Sequence, residues 1–202
     1  MRRERASEFC ARVALVTPAS GRSTSSLDVS RPGVIAGLAA VALVAAAFLW
    51  ANHAPAPLPA DTKADLLVVD KSAHGLSLYE HGPLLRSYTV SLGRQPVGPK
   101  LREGDHRTPE GRYVIDRHNP HSAFYLALHV SYPSASDSAR ASAAGYSAGA
   151  NVMVHGMRNG LGWLGRSHLF VDWTDGCIAT TDAEIDQLYQ VVPDGTPIDI
   201  RP

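Results

Sequence analysis

Cysteine is the scarcest residue in this 202-residue chain, occurring only as Cys10 and Cys177. Two thiols exclude a disulfide-rich scaffold, and without a Cys-x-x-Cys pair there is no thiolate zinc site. Net charge is missing as well: 19 Lys and Arg balance 19 Asp and Glu. With no long like-charge run and no basic patch among aromatics, the chain lacks the footprint of a nucleic-acid binder. The nine histidines include no His-Glu-x-x-His spacing. His118 and His121 lie three apart, but Asn119-Pro120 breaks any helix that would align their rings. No metal or other cofactor is expected, and no internal repeat is found.

What is present begins with an apolar segment. Val34 to Trp50 carries no charge, at the short end of what spans a bilayer. Ahead of it stand Arg2, Arg3, Arg5, Arg12, Arg22 and Arg31 against Glu4, Glu8 and Asp28. The positive-inside rule keeps that side in the cytoplasm and exports the chain beyond Trp50, a residue that suits the interface. The reading is a single-pass inner-membrane protein with its soluble part in the periplasm. A cleaved signal peptide, which would leave that part free in the periplasm, is the alternative.

The chain divides into four regions. Residues 1–33 read as a cytoplasmic, disordered segment and 34–50 as the anchor or signal. Residues 51–64 hold Pro55, Pro57 and Pro59, a stiff extended spacer. Residues 65–202 form the exported domain, where short runs alternate with turn signals. Strand candidates are 66–69, 76–79, 84–92, 113–115, 124–130, 152–154 and 198–200. The fold class is therefore mainly β, a sandwich or barrel with few helices. One helix is well marked: Thr181 and Glu184 fit a capping box, Ile185, Leu188, Tyr189 and Val192 make an apolar stripe, and Pro193-Asp194-Gly195 ends it. Ser134 to Ala150 lacks periodicity and reads as a long surface loop, a candidate lid.

The anchor would separate Cys10 from Cys177, leaving Cys177 alone in an oxidising compartment. A lone thiol there is a liability unless it reacts, which makes Cys177 a candidate nucleophile. Its proton needs an acceptor, and His155, ending a β-branched run before Gly156, is the candidate base. Gly176 allows close backbone approach, so the amides near Asp175, Gly176 and Cys177 are candidate oxyanion donors. A buried structural cysteine beside an unrelated strand-end histidine remains the plainer alternative. Gly145-Tyr146-Ser147-Ala148-Gly149 matches a Gly-x-Ser-x-Gly elbow, but no buried strand precedes it and no acid lies between Ser147 and His168. Tyr132-Pro133 and Asp172-Trp173 are candidate cleft-wall residues, with core or loop packing as the commoner outcome.

The wording around these residues adds to that reading. His155-Gly156, followed by Asp172-Trp173-Thr174-Asp175-Gly176-Cys177-Ile178-Ala179, resembles the L,D-transpeptidase catalytic domain, the YkuD family. Val68 to Ser72, Leu76 to Tyr79, Val90 to Gly93, Gly104 to Gly111 and Gly195 to Ile198 fall in the family's order. The resemblance implies a β-sandwich-like domain with Cys177 as nucleophile, His155 as base, and Asp175, Gly176 and Gly156 around the oxyanion and substrate. Its partner would be a peptidoglycan tetrapeptide stem, acylating Cys177 through the meso-diaminopimelate carbonyl with release of D-alanine. Transfer to an amine would give a 3–3 cross-link or attach a protein to the wall.

The sequence departs from the commonest family wording at Asp175, usually histidine, and at Ala179, usually Arg or Asn. Asp175 could orient His155, hold a substrate amine, or oppose thiolate formation. The Asp-Trp-Thr-x-Gly-Cys-Ile-Ala form resembles a subgroup with members that release wall-linked lipoprotein. An amidase or carboxypeptidase using water is therefore the second expectation. A non-catalytic wall-binding module is the third.

Overall fold

The computed structural model describes residues 32–202. Nearly all of the expected 1–33 segment, and Cys10 with it, lies outside the described residues. Pro32–Ala51 forms α1, two residues longer at its start than the apolar run and one at its end. Pro32 opens it, where a missing N–H costs nothing. The helix is apolar all round, and long and apolar enough to cross a membrane. The chain divides into Met1–Val41 and Ala42–Pro202, and the second unit holds the whole β-sheet domain.

Eight strands form one sheet in the order β3-β2-β1-β8-β4-β5-β6-β7. A meander opens it: β1 (Leu66–Asp70), β2 (Gly75–Tyr79) and β3 (Leu84–Thr89) pair antiparallel. Leu67 and Val69 face Leu78 and Leu76 across the first pair, all fully buried. The last strand, β8 (Pro197–Arg201), inserts parallel to β1 and brings Ile198 and Ile200 beside Leu67 and Val69. Next comes β4 (Gly111–Ser122), whose first part pairs with β8 and whose second part pairs with β5 (Tyr125–Val130). Its register shifts at Ile115/Arg117 and Asn119/Ser122 add local twist and curl the sheet between its halves. β6 (Met153–His155) is antiparallel to β5, and β7 (Ile178–Ala179) is parallel to β6. The mainly β architecture with few helices expected from the strand runs is observed, built as one curled eight-stranded sheet.

The marked helix is α3 (Asp182–Val191), with both halves of the Thr181–Glu184 capping box formed. Ile185 and Leu188 are fully buried, and the helix lies against β5 and β6. Asp182 Oδ1 accepts from the Met157 N–H at 2.7 Å, pinning the chain just beyond β6.

Ser134 to Ala150 differs from the expected loop. Ala135–Ala143 is helix α2, with a capping box between Ser134 and Asp137. Four alanines among its nine residues favour the helix, and the box satisfies its first amides. Ala141 buries into the core, and buried Asp137 accepts from the Tyr113 hydroxyl at 3.0 Å. This stretch is thus part of the wall rather than a free lid. The Gly-Tyr-Ser-Ala-Gly run follows α2 instead of a strand, and Ser147 Oγ accepts from the Gly149 N–H. Tyr132 is core, its hydroxyl donating to the Ala148 carbonyl.

The proline-rich stretch is fastened to the domain. Gln187 donates to the carbonyls of Pro55 and Ala56, at 3.2 and 2.8 Å, and Arg86 also donates to Ala56. Leu58 packs on the core and the Ala64 N–H donates to Val191. A proline-rich chain has little conformational entropy to lose, which favours such docking.

Candidate active site

Val154 and Ile178 are register partners across the parallel β6–β7 pair, and both are fully buried core residues. Side chains alternate between sheet faces. His155, one residue after Val154, and Cys177, one before Ile178, therefore share the opposite face. There they line one cavity of about 870 Å³ with Phe124, Met157, Leu164 and Trp173. Cys177 also lines a smaller, more polar cavity of about 330 Å³ with Lys100, Glu103 and His106. The thiol thus sits where two spaces meet.

His155 is 3% exposed, and its Nδ1 lies 2.7 Å from the Gly156 carbonyl. A carbonyl only accepts, so Nδ1 carries the proton and Nε2 presents a lone pair. Burial lowers the pKa of the ring, although the Gly156 carbonyl works the other way. Phe124 and Trp173 enclose the imidazole, their centroids 4.6 and 5.7 Å from its own. The imidazole is thus buried against aromatic rings, with its tautomer fixed.

Cys177 is a free thiol whose Sγ donates to the Asn151 carbonyl at 3.7 Å. Burial raises its pKa and the Asp175 carboxylate adds to this, against the Met153 N–H and the Lys100 ammonium. Burial therefore works against charge on both groups.

The Asp-Trp-Thr-Asp-Gly wording is explained by what each residue holds. Asp172 Oδ1 accepts from the Leu92 N–H at 2.7 Å, and Oδ2 lies 2.9 Å from His74 Nε2, tying the loop to the strand end before it. Trp173 is cleft wall. Thr174 Oγ1 donates to the Cys177 carbonyl at 2.8 Å and accepts from the Gly176 N–H at 3.1 Å. Gly176 adopts φ +129, and a Cβ there would lie 2.6 Å from the Arg107 carbonyl. Only glycine fits that close approach.

Three expected roles differ in the structure. The Gly176 amide bonds Thr174, so it does not point freely at the cleft as an oxyanion donor would. The Gly156 amide donates to the Leu126 carbonyl, and the contribution of Gly156 is its own carbonyl, which sets the imidazole tautomer. Asp175 does not orient His155: its Oδ1 meets Arg94 Nη2 at 2.9 Å and His106 Nδ1 at 2.8 Å. Asp175 is the exposed member of the loop and, with Cys177, lines both cavities.

Under this site lies a buried knot. Lys71, 3% exposed, donates to Glu110 Oε1 at 2.7 Å and to the carbonyls of Gly98 and Thr108. Thr108 Oγ1 in turn accepts from the Gly93 N–H at 3.0 Å. The Thr108-Pro109-Glu110-Gly111 run therefore supports the cleft floor. Asp105, held by Lys100 at 2.9 Å, would be raised by burial, but that ammonium and the amides of Leu101, Arg102 and Arg107 bring it down to about 2.

Asn151, Arg94, Lys100, Thr174 and His168 were not reached from the sequence. Asn151 has φ +59, a conformation for which asparagine is a favoured non-glycine residue. No local spacing marks Arg94 or His168, whose contacts with Asp175 and Ser91 join distant parts of the chain.

Fold and site together define a curled β-sheet domain with a thiol and a tautomer-fixed imidazole facing one cleft. The chain belongs to the YkuD family, the L,D-transpeptidase catalytic domain, whose family profile matches residues 64–200. The candidate L,D-transpeptidase YafK of Escherichia coli (strain K12) is 30% identical over 159 residues, 73% of this chain and 57% of YafK. The chain thus spans little more than half the length of the curated relatives it matches. The helical cell shape determining protein Pgp2 of Campylobacter jejuni shares the fold with TM-score 0.52 and 24% identity, over 76% of this chain and 53% of Pgp2.

Proposed function

We propose that this protein is a cell-envelope L,D-transpeptidase working through an acyl-enzyme on Cys177, with His155 as base. The observation that carries this reading is the placement of both residues on one face of β6–β7, in one cavity, with Nε2 of His155 left as the basic nitrogen. The substrate is a peptidoglycan tetrapeptide stem. As Sγ attacks the meso-diaminopimelate carbonyl carbon, its proton passes to His155 Nε2 and the carbonyl oxygen becomes an oxyanion. The Cys177 N–H is the donor assigned to that oxyanion. Collapse breaks the C–N bond, and the D-alanine nitrogen leaves with the proton from His155. An acceptor amine then attacks the thioester, giving its proton to His155 and restoring the thiol.

The apolar α1 and the arginines before it support an inner-membrane anchor with this domain in the periplasm, next to the wall. The test uses full-length protein with a tetrapeptide donor and purified sacculi, followed by mass spectrometry of protein and products. A stem-derived adduct on Cys177, absent from Cys177→Ala, together with dimers joined through two diaminopimelate residues, is the expected result. Shortened stems or released wall-linked protein would assign the acceptor as water. Binding to sacculi without an adduct would reject the nucleophile altogether.

A further inference from the structure

Between β6 and β7 the chain runs through two short 3-10 turns, Gly162–Phe170, joined at Gly165. Gly165 is buried at φ +48, and a Cβ there would run into the Ala51 carbonyl and the Asn52 side-chain oxygen. The glycine is what lets this segment lie directly against the end of α1, where Ala51 is also buried. The helix stops at that point. The Asn52 N–H and its side-chain amide both donate to the Phe48 carbonyl, and the His53 N–H donates to Trp50. Trp50 itself is exposed. With α1 read as the anchor, the turns are held where the chain leaves the bilayer, at the level of an interfacial tryptophan.

The surface of this segment is unusually apolar. Leu161, Trp163, Phe170 and Val171 are all exposed, Phe170 at 77%. Outside α1, the described residues expose no other tryptophan or phenylalanine. Neither Trp163 nor Phe170 lines the cavity at Cys177, so the cleft does not account for their exposure. Both lie within about 10 Å of Gly165 along the segment, at a rise of about 2 Å per residue. Charge points the same way, since residues 157–171 carry Arg158 and Arg166 and no carboxylate. Arg158 is exposed, and Arg166 is half-buried and reaches Glu184 only at 3.9 Å. Exposed aromatics among arginines match the interface of an anionic bilayer, where rings sit between headgroups and guanidinium groups meet phosphates. We propose that residues 161–171 form a second membrane contact, seated through Trp163 and Phe170 on the phospholipid interface beside the anchor. The inference rests on reading α1 as a membrane anchor. The same segment gives Leu161, Leu164 and Val171 to the lining of the 870 Å³ cavity. A single helix leaves a domain free to pivot, and a second contact fixes which way the cleft faces.

The test places single nitroxide labels on full-length protein in a Cys10→Ser, Cys177→Ala background, reconstituted in phosphatidylethanolamine–phosphatidylglycerol liposomes. Trp163→Cys and Phe170→Cys carry the labels of interest, and because both positions are exposed the labels displace no core side chain. Leu43→Cys in α1 is the lipid reference, and Val97→Cys, 82% exposed between β3 and β4, is the aqueous one. Molecular oxygen concentrates in lipid and a nickel chelate in water, so the ratio of their collision rates with the label reads depth. At 163 and 170 this ratio should be several-fold above its value at 97 and approach that at 43. Phe170→Glu should return the label at 163 towards the aqueous value. Ratios at 163 and 170 equal to that at 97, with a lipid-like label at 43, would overturn the contact and leave the anchor standing. Labels shielded from oxygen and chelate alike would overturn it too, because they would mean cover by protein, such as a second copy of the chain. An aqueous value at 43 would overturn anchor and contact together, while the acyl-enzyme on Cys177 is judged separately by its adduct.

Discussion

Acidifying the protein should destabilise it through His168. In the folded state this ring is 6% exposed and its pKa is lowered from 6.5 to about 4, by burial first and by His155 second. Unfolding returns the ring to water and to its ordinary value. Above pH 6.5 the imidazole is neutral in both states, and stability does not change on its account. Between pH 6.5 and 4 the unfolded chain binds a proton that the folded protein rejects, so stability falls with pH. Below pH 4 both states are protonated and the loss is complete. Moving one pKa by that much corresponds to about 3 kcal/mol. His155, lowered in the same direction by its burial, adds to the slope. The assay is urea denaturation of wild type and His168→Gln between about pH 4.5 and 7. The variant should be less stable at neutral pH, because it lacks the ring that accepts from Trp173. Its stability should nevertheless decline less on acidification, by up to about 3 kcal/mol across the full window. Parallel pH profiles would show that His168 is not held neutral by burial and would refute the reasoning.

The thiol should behave as one pushed above the ordinary range: iodoacetamide alkylation of Cys177, followed against pH, should lag an unperturbed cysteine. Asp175→Asn removes one of the groups that raises it and should speed alkylation at about pH 8 by up to about fivefold, the limit of a solvent-screened charge pair. No change on substitution would mean that Arg94 and His106 already cancel that carboxylate. Thr174→Val, nearly isosteric, leaves the Gly176 N–H and Cys177 carbonyl without their partner. It should cost about 1–3 kcal/mol in chemical denaturation and lower acylation of Cys177 as the loop loosens. Lys71→Met strands Glu110 and two carbonyls under the cleft, and a loss of about 3–5 kcal/mol in the same assay is expected.

The strands that could be read from the sequence are those whose runs carry their own burial pattern, such as Leu66 to Val69 and the alternating Leu76 to Tyr79. Helix α3 was equally legible, because its capping box, apolar stripe and terminating Pro193 all lie in one short window. The alanine-rich α2 was not, since alanine and serine give no periodic contrast and its apolar core contact rests on Ala141 alone. Two-residue β7 is held by partners on β6 and by Ser91, none of them nearby in the chain. The site divides the same way. Glycine beside histidine and glycine beside cysteine mark the proposed pair locally. The Ser91–His168 contact joins positions 77 residues apart, and Asp175–His106 joins positions 69 apart. Such pairings depend on sheet order, which no window of sequence contains.

Lys100 has a consequence for side reactions. The thioester of the proposed mechanism would be consumed by any free amine that reached it, and self-modification would end turnover. Among the described residues Lys100 is the lysine that lines a Cys177 cavity, and its Nζ is gripped by Asp105 at 2.9 Å. Held in this way, the side chain is committed to the Asp105 carboxylate. On the proposed mechanism, the site would keep a basic side chain near its sulfur while holding that side chain away as a competing nucleophile.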